Sequence, residues 1–351
     1  MTDLEQAIDR VLADPLSAAR AAPRAIGYVG LDLPLDVLLA SGMFPCHLPW
    51  DANRPQGKSA QWLEKSFAPW SFSILDAWLD GAFDFFEFVV FSRGDDSTQR
   101  LYYYVCELQR QGVLAGPRPL IFDIARIERP TSLAHSVKAI RKLAEPLGID
   151  DYALWKGIEA ANEQRRLFSA IDAKRNGPGS GYERIVRASL FDNINDDLTS
   201  FEHPGVEAAG KILLAGSAPP DDRIHRAVEA NGWTVVGEFH DRRLARLGPE
   251  IDIDDGDPAE NIGAHAHGLA IGPRISGNQT EALLKEVKRT GADAVILWLI
   301  EQDEARLWQV PGQQAALEAA KVPALVLTRR RWDAADGTAD EIADFVGGLT
   351  A

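Results

Sequence analysis

Hydrophobic residues follow two alternating patterns along the chain: short apolar runs, and longer stretches in which apolar residues recur at helical spacing. The short runs predict buried strands, and the longer stretches predict amphipathic helices that cover them. In chain order, the predicted strands are "AIGYVGLD", "MFPCHLP", "FFEFVVFS", "PLIFDIA", "GKILLAGS", "WTVVGEF", "ADAVILWLI" and "PALVLT". Strands that alternate with helices are typical of α/β proteins with parallel sheets.

The strand–helix pattern occurs twice and predicts two α/β domains, residues 25–150 and 206–351. An N-terminal helix, residues 1–24, precedes them, and a helical connector, residues 151–205, joins them. Both domains open with a strand, a helix introduced by proline, a closing glycine and a second strand. Two such domains facing each other would leave a cleft at the carboxyl ends of their strands, where ligands bind in parallel α/β folds.

Composition narrows the possible partners and the location of the protein. The net charge of −15 disfavours a nucleic-acid partner and an anionic membrane surface. The chain has 2 cysteines, Cys46 and Cys106, which fits a reducing compartment and is too few for a disulfide framework or a four-thiolate metal site. The N-terminus predicts an acidic amphipathic helix rather than a signal peptide, and no apolar run is long enough to span a bilayer. We therefore expect a cytoplasmic protein without a membrane or nucleic-acid partner.

Two adjacent carboxylates, Asp95 and Asp96, lie where the strand of "VVFSRGDDSTQRLYYYV" gives way to a helix. Aspartate is a favourable N-cap because its side chain accepts a hydrogen bond from a free N–H of the first helical turn. Strand-to-helix turns also lie at the ligand-binding edge of parallel sheets. The turn is therefore a candidate for helix capping and for chemistry.

Other stretches carry weaker chemical signals. On an extended segment, His265 and His267 of "GAHAHG" would point to one side, as some metal sites require, but a polar loop is the favoured interpretation. Arg329 and Arg330 of "TRRRW" could bind the phosphates of an anionic ligand, although a solvated turn or a subunit contact explains them equally well. The absence of a GxGxxG spacing disfavours nicotinamide binding. A group of aromatic residues is interpreted as core or subunit interface, with an apolar substrate lining as the alternative: Trp62, Phe67, Trp70, Phe72 and Trp78.

Four stretches, in this order and spacing, resemble the 2-hydroxyacyl-CoA dehydratase and benzoyl-CoA reductase family. They are "IGYVGLDLPLDVLLASGMFP", "SILDAWLDGAFDFFEFVVFSRGDDSTQRLYYYV", "KILLAGSAPPDDRIHRAVEANGWTVVGE" and "ADAVILWLIEQDEARLWQVPGQQAALEAAKVPALVL". The resemblance implies two flavodoxin-like (Rossmann-like) domains. It also implies work in a pair of related subunits that perform radical chemistry on an acyl-CoA thioester.

In that family, each subunit normally holds a [4Fe-4S] cluster through three cysteines. The resemblance places those positions at Ala68, Asp95 and Asp303, so all three thiolates are absent. It also makes Asp96 the equivalent of the helix-capping aspartate of the family. We therefore expect no cofactor on this chain, and a cluster in a homologous cysteine-bearing partner subunit.

The sequence leaves three functional hypotheses open. The first is a cluster-free subunit of a complex acting on a CoA thioester, whose substrate-binding positions would be Leu31, Asp32, Ala68, Arg329 and Arg330. The second is a stand-alone acyl-CoA enzyme that uses Asp95, Asp303 and Glu304 for acid/base chemistry or, alternatively, for cation binding. The third is a non-catalytic binding module.

Overall fold

The computed structural model describes residues 3–125, 129–194, 198, 205–253, 256–269 and 278–350. The helices and strands up to residue 150 are α1 (Asp3–Ala13), α2 (Ser17–Ala21), β1 (Ala25–Val29), α3 (Leu35–Ala40), β2 (Phe44–His47), α4 (Pro69–Leu79), β3 (Phe88–Ser92), α5 (Asp96–Arg110), β4 (Arg118–Phe122) and α6 (Ser132–Leu147). Those that follow are α7 (Asp151–Ala173), α8 (Gly179–Ala188), β5 (Lys211–Gly216), α9 (Arg223–Glu229), β6 (Thr234–Phe239), α10 (Asp241–Leu244), α11 (Pro258–Gly268), α12 (Gln279–Thr290), β7 (Ala294–Ile300), α13 (Glu304–Leu307), α14 (Val310–Ala319), β8 (Ala324–Arg330) and α15 (Thr338–Thr350).

The strands form two parallel sheets with the same connectivity. The first sheet has the order β2-β1-β3-β4, and the second has the order β6-β5-β7-β8. In each sheet, the second strand along the chain pairs with one side of the first strand, and the third strand pairs with its other side. The connections that follow the first and third strands therefore leave in opposite directions, and the boundary between these strands is a topological switch point. The predicted fold class, two flavodoxin-like parallel-sheet domains, is confirmed.

The chain divides into two compact units whose limits differ from a simple cut along the sequence. The first comprises Met1–Ala170, Ala188–Thr199 and Ala245–Ser276, and the second comprises Ile171–Arg187, Ser200–Leu244 and Gly277–Ala351. The sequence predicts residues 245–276 to be part of the second α/β domain. Instead, α11 packs against α6 and contributes Ile262 and Ala266 to the apolar core of the first unit. Chain order alone does not reveal which sheet a helix covers.

The first unit contains the predicted aromatic cluster as part of its core. Phe67, Phe72 and Trp78 are buried there, and Trp62 and Trp70 pack against the same core. These aromatics do not all lie on one helix, because a 3-10 turn at Lys58–Gln61 comes first and α4 begins only at Pro69. Proline favours the first helical position because it lacks an N–H group and has a fixed φ.

The second unit contains a network of buried ion pairs. The two Arg175 guanidinium nitrogens donate to the Glu238 carboxylate at 2.5 Å each, and His225 Nε2 lies 3.0 Å from the same carboxylate. Nearby, Arg243 is paired with Asp172 at 2.6 Å. These contacts fasten the end of α7 and the residues after it to β6, α9 and α10. The last turn of the long helix α7 is thereby part of the second unit.

Candidate functional site

A crevice in the first unit opens at the carboxyl end of β1, beside the switch point of the first sheet. We call it the β1 crevice. It has about 550 Å³ of empty space, a figure that includes the part open to solvent. Its lining is Leu31, Asp32, Leu33, Pro34, Leu35, Asp36, Ala161, Gln164, Arg165, Phe168, Ala245, Arg246, Leu247, His265, Ala266 and Leu269. The predicted positions Leu31 and Asp32 therefore do line a crevice.

Asp32 is held against the end of β3. The Ser92 hydroxyl donates to Asp32 Oδ1 and accepts a hydrogen bond from the Gly94 N–H at 2.7 Å. A Cβ atom built on Gly94 would lie 2.2 Å from Asp32 Oδ2, so this close approach requires glycine. The adjacent loops after β1 and β3 thus hold each other, and Asp32 is buried beside the crevice.

Arg246 is a buried cation in the wall of the β1 crevice. Its exposed fraction is 7%, and its Nη2 donates to the Ser189 carbonyl oxygen at 2.8 Å. The guanidinium also lies beside the Tyr28 hydroxyl and 5.7 Å from the Phe168 ring centroid. Burial raises the pKa of Tyr28, and the positive charge of Arg246 opposes that rise. All these neighbours of Arg246 are neutral at pH 7.

A second arginine in the crevice is neutralised. Arg165 Nη2 donates to Asp36 Oδ2 at 2.7 Å, and Arg165 Nη1 donates to the Asn162 side-chain oxygen at 2.8 Å. His265 completes this side of the crevice, and its Nε2 lies 3.0 Å from the Pro249 carbonyl oxygen. Burial lowers the pKa of His265, and the charge of Arg165 lowers it further. His265 is therefore neutral near pH 7.

Two of the three positions implied for a cluster, Ala68 and Asp95, lie together in the first unit. The Ala68 N–H donates to the Ser97 hydroxyl at 3.0 Å, which joins the start of α4 to the start of α5. Asp95 is the N-cap of α5, since its Oδ1 accepts from the Thr98 N–H at 2.8 Å and its Oδ2 accepts from the Thr98 hydroxyl. The expectation that Asp96 is the cap is wrong, because Asp96 is the first residue of the helix and is exposed.

Asp303 lies in the second unit, immediately before α13. Its Oδ2 accepts from the Ser217 hydroxyl at 2.7 Å and is 3.0 Å from Arg306 Nε. Burial raises the pKa of Asp303, while Arg306 and the Ser217 hydrogen bond oppose the rise. Glu304, the next residue, is exposed. The catalytic assignments of Asp95, Asp303 and Glu304 remain predictions.

The arginine-rich turn after β8 offers less cationic surface than its sequence suggested. Arg330 donates to Glu341 at 2.7 Å, and Arg331 donates to Asp333. Arg329 is exposed and has a φ of 54°. Binding of a CoA phosphate by Arg329 and Arg330 remains a prediction, and Arg330 would have to leave Glu341 to take part.

The two histidines of "GAHAHG" lie on α11, so the expected polar loop is wrong. Residues two apart on a helix point in nearly opposite directions. His267 Nδ1 lies 2.7 Å from the Ala125 carbonyl oxygen, whereas His265 lines the β1 crevice. Within the described ranges, no group of three or more His, Cys, Asp or Glu side chains is arranged to hold a metal ion.

Sequence reasoning missed Arg246, Arg165 and Asp36 as members of one site. Asp36 follows the proline that opens α3, and it could have been noticed as a charge at a helix start. Arg246 lies about 220 residues from β1 along the chain, and no local pattern links the two. A basic residue among the apolar positions of "RRLARLG" was the only available signal.

Two parallel sheets of flavodoxin-like order, one with a crevice at its switch point, define the chain as an α/β protein of the kind that binds ligands at strand ends. The family model HGD-D, described as "2-hydroxyglutaryl-CoA dehydratase, D-component", matches residues 31–343, and the chain therefore belongs to the 2-hydroxyacyl-CoA dehydratase family. A search of curated proteins finds no significant match. Among the described residues, no helix has the combined length and apolarity that a membrane crossing requires.

The residues of this chain do not fit a [4Fe-4S] cluster. Such clusters are held by cysteine thiolates, and Ala68, Asp95 and Asp303 occupy the three implied positions. The cysteines that are present offer no substitute. Cys46 is buried in β2, where burial raises the pKa of its thiol, and burial also raises the pKa of Cys106 on α5. Both thiols are therefore neutral at pH 7.

Proposed function

We propose that this chain is the cluster-free subunit of a complex, like the 2-hydroxyacyl-CoA dehydratases and benzoyl-CoA reductases, that acts on a CoA thioester. A homologous cysteine-bearing subunit would carry the [4Fe-4S] cluster, and the chain itself would carry no cofactor. One observation carries the proposal: the family match spans most of the chain, yet no thiolate remains at the implied cluster positions. A cytoplasmic location belongs to the same proposal, and the two free cysteines support it.

In this proposal, the chain contributes binding and shape rather than electron transfer. The loop after β1, with Leu31 and Asp32, would contact the acyl group, and Ala68 would leave space where a ligating side chain is absent. The hydrogen bonds that Asp95 makes within α5 support a structural role for this residue in the complex.

The test is purification of the tagged chain from its native source without oxygen. We expect a stoichiometric homologue that contains cysteines at the positions equivalent to 68, 95 and 303, and we expect iron in the complex but not in the separated chain. Conversion of a panel of 2-hydroxyacyl-CoA thioesters by the complex would complete the assignment. A chain that purifies alone and converts an acyl-CoA unaided would contradict it.

The alternative, a stand-alone acyl-CoA enzyme, is supported by one observation. Asp303 is largely buried, and its raised pKa is the property expected of a general acid or base. This alternative predicts that the isolated chain is active and that Asp303→Asn abolishes the activity while the chain stays folded. Glu318→Gln, at an exposed carboxylate on α14, is the matched control for the loss of one negative charge in the second unit.

A further inference from the structure

Arg246 is the most unusual charge in the first unit because it is buried without a carboxylate partner. In the part of the chain that the structure describes, its contacts are the Ser189 carbonyl oxygen, the Tyr28 hydroxyl and the Phe168 ring. Burying a charge without a counter-ion is costly in free energy, and most buried arginines are paired. The guanidinium group has five N–H donors, and these contacts do not use all of them.

The carboxylates nearest in the crevice have other partners. Asp36 is paired with Arg165, and Asp32 accepts from the Ser92 hydroxyl. The remaining titratable group of the lining, His265, is kept neutral by burial. The positive charge of Arg246 is thus left for something that enters the crevice.

The rest of the β1 crevice favours an apolar chain beside that charge. Ten lining residues are aliphatic, aromatic or proline: Leu31, Leu33, Pro34, Leu35, Ala161, Phe168, Ala245, Leu247, Ala266 and Leu269. The empty volume of about 550 Å³ includes open solvent, so the enclosed space is smaller than this figure and favours a short chain over a whole CoA thioester. Asp32 and Asp36 in the same wall would repel a phosphate dianion more than a monoanion.

We propose that the β1 crevice binds a short aliphatic carboxylate, with Arg246 bound to the carboxylate group and the leucines of the lining packed around the chain. Guanidinium and carboxylate groups match in geometry and form two parallel hydrogen bonds. The carboxylate is either that of a free acid or the far end of a dicarboxylic acyl thioester. The free-acid form of this proposal does not depend on the proposed function, because it requires no partner subunit and no acyl-CoA chemistry, whereas the thioester form rests on that function.

The test is calorimetric titration of the purified full chain with pentanoate and with pentanamide, which has nearly the same shape but no charge. We expect pentanoate to bind roughly tenfold to a hundredfold more tightly than pentanamide, as for a charged hydrogen bond. Arg246→Gln should abolish this preference. Arg166→Gln, an exposed arginine on α7 outside the crevice, should leave it unchanged. Equal affinity for the acid and the amide, or no binding of pentanoate at all, would overturn the proposal.

Two further probes distinguish the ligand classes. Butyl phosphate that binds more tightly than pentanoate would overturn the choice of carboxylate. The second probe is a pair of thioesters of N-acetylcysteamine: the adipoyl chain ends in a carboxylate at the far end, and the hexanoyl chain ends in a methyl group. Tighter binding of the adipoyl thioester than of pentanoate supports the far end of a thioester, and the reverse order supports a free acid. The comparison of pentanoate with pentanamide uses the unaltered protein, so it holds even if Arg246→Gln does not fold.

Discussion

At the scale of single residues, a carboxylate at the start of a helix can serve as a cap, a ligand or a base, and its hydrogen bonds indicate which use the fold makes of it. Both carboxylate oxygens of Asp95 accept hydrogen bonds from Thr98, in the first turn of the helix that Asp95 caps. Asp303 accepts from Ser217, which follows β5, and pairs with Arg306 in the helix that Asp303 precedes. The two aspartates that the resemblance aligns with cysteines thus have different local roles.

The capping role of Asp95 can be measured directly. Asp95→Ala removes the acceptor for the Thr98 N–H and should lower the free energy of unfolding by about 1 kcal/mol, whereas Asp95→Asn keeps an acceptor and should cost much less. Asp96→Ala is the matched control, since Asp96 is exposed and its 3.4 Å contact with Arg100 is a pair at the helix surface. Denaturant unfolding of the three variants gives the comparison. An equal loss in the Ala and Asn variants would show that charge, rather than capping, matters at residue 95.

A buried histidine makes the second unit sensitive to acid. His240 Nδ1 accepts weakly from the Arg243 N–H at 3.5 Å, which leaves the proton on Nε2, where no partner is present among the described residues. Burial, together with the charges of Arg242 and Arg243, holds the pKa of His240 well below its usual range, although Glu238 opposes this. The unfolded chain therefore takes up a proton near pH 6.5 that the folded chain does not.

Because this pKa is lowered on folding, stability should be fully present above about pH 6.5 and should fall as the pH drops below it. His240→Asn keeps an acceptor near Arg243 and removes the titration, so its unfolding free energy should depend less on pH between about 7 and 5, by up to one proton. Asn231→Ala, an exposed substitution that removes no titratable group, is the control and should leave the slope unchanged. The measurement is urea unfolding across this pH range, and parallel curves for all three proteins would refute the prediction.

At the scale of helices and strands, the sequence was most informative for strands that are buried on both faces of their sheet. Parallel strands covered by helices are continuous apolar runs, and runs such as "ADAVILWLI" predicted β7 and its neighbours correctly. Helix starts were less predictable. The proline-introduced helix of the second domain, expected from Pro219, begins only at Arg223, whose N–H donates to the Asp221 side chain. The β1 crevice could not be foreseen, because three distant segments build it and only tertiary packing brings them together.

The crossing of α7 over α3 requires glycine at position 157. A Cβ atom there would lie 2.1 Å from the Asp36 carbonyl oxygen and 2.8 Å from the Ala40 Cβ. Replacing a helical glycine with alanine normally stabilises by about 0.5–1 kcal/mol, but Gly157→Ala should instead cost about 1–3 kcal/mol through overpacking. The same variant should weaken the binding of any ligand in the β1 crevice, because it displaces Asp36 and its partner Arg165.

Gly348→Ala in α15 is the matched control, because nothing lies within 4 Å of the added methyl group. It should leave stability unchanged or slightly higher. Thermal and denaturant unfolding of the two variants will show whether the signs are opposite, as expected. If Gly157→Ala were as stable as the parent protein, α3 and α7 would be able to separate without cost, and the packing described here would not constrain the crevice.

At the scale of the whole molecule, the repeated strand order and the family match define the fold, and none of the three positions that the resemblance assigns to cluster ligands holds a cysteine. Two of these positions, Ala68 and Asp95, lie at helix starts, and both residues are compatible with the starts of α4 and α5. The resemblance on which the cluster positions rest came from the sequence, while the local geometry of each position came from the structure.

The last prediction concerns iron. The isolated chain, purified without oxygen and incubated with iron and sulfide, should remain colourless and contain far less than one cluster per chain, because three thiolates are required and Cys46 is buried with a raised pKa. The matched control is the variant Cys46→Ser, Cys106→Ser, which should give the same result since neither cysteine lies at an implied cluster position. Iron and sulfide analysis with the visible absorption spectrum is the measurement. Stoichiometric iron in the parent but not in this variant would show that the two remaining cysteines bind a cluster, and would refute the proposal that the cluster belongs to a partner subunit.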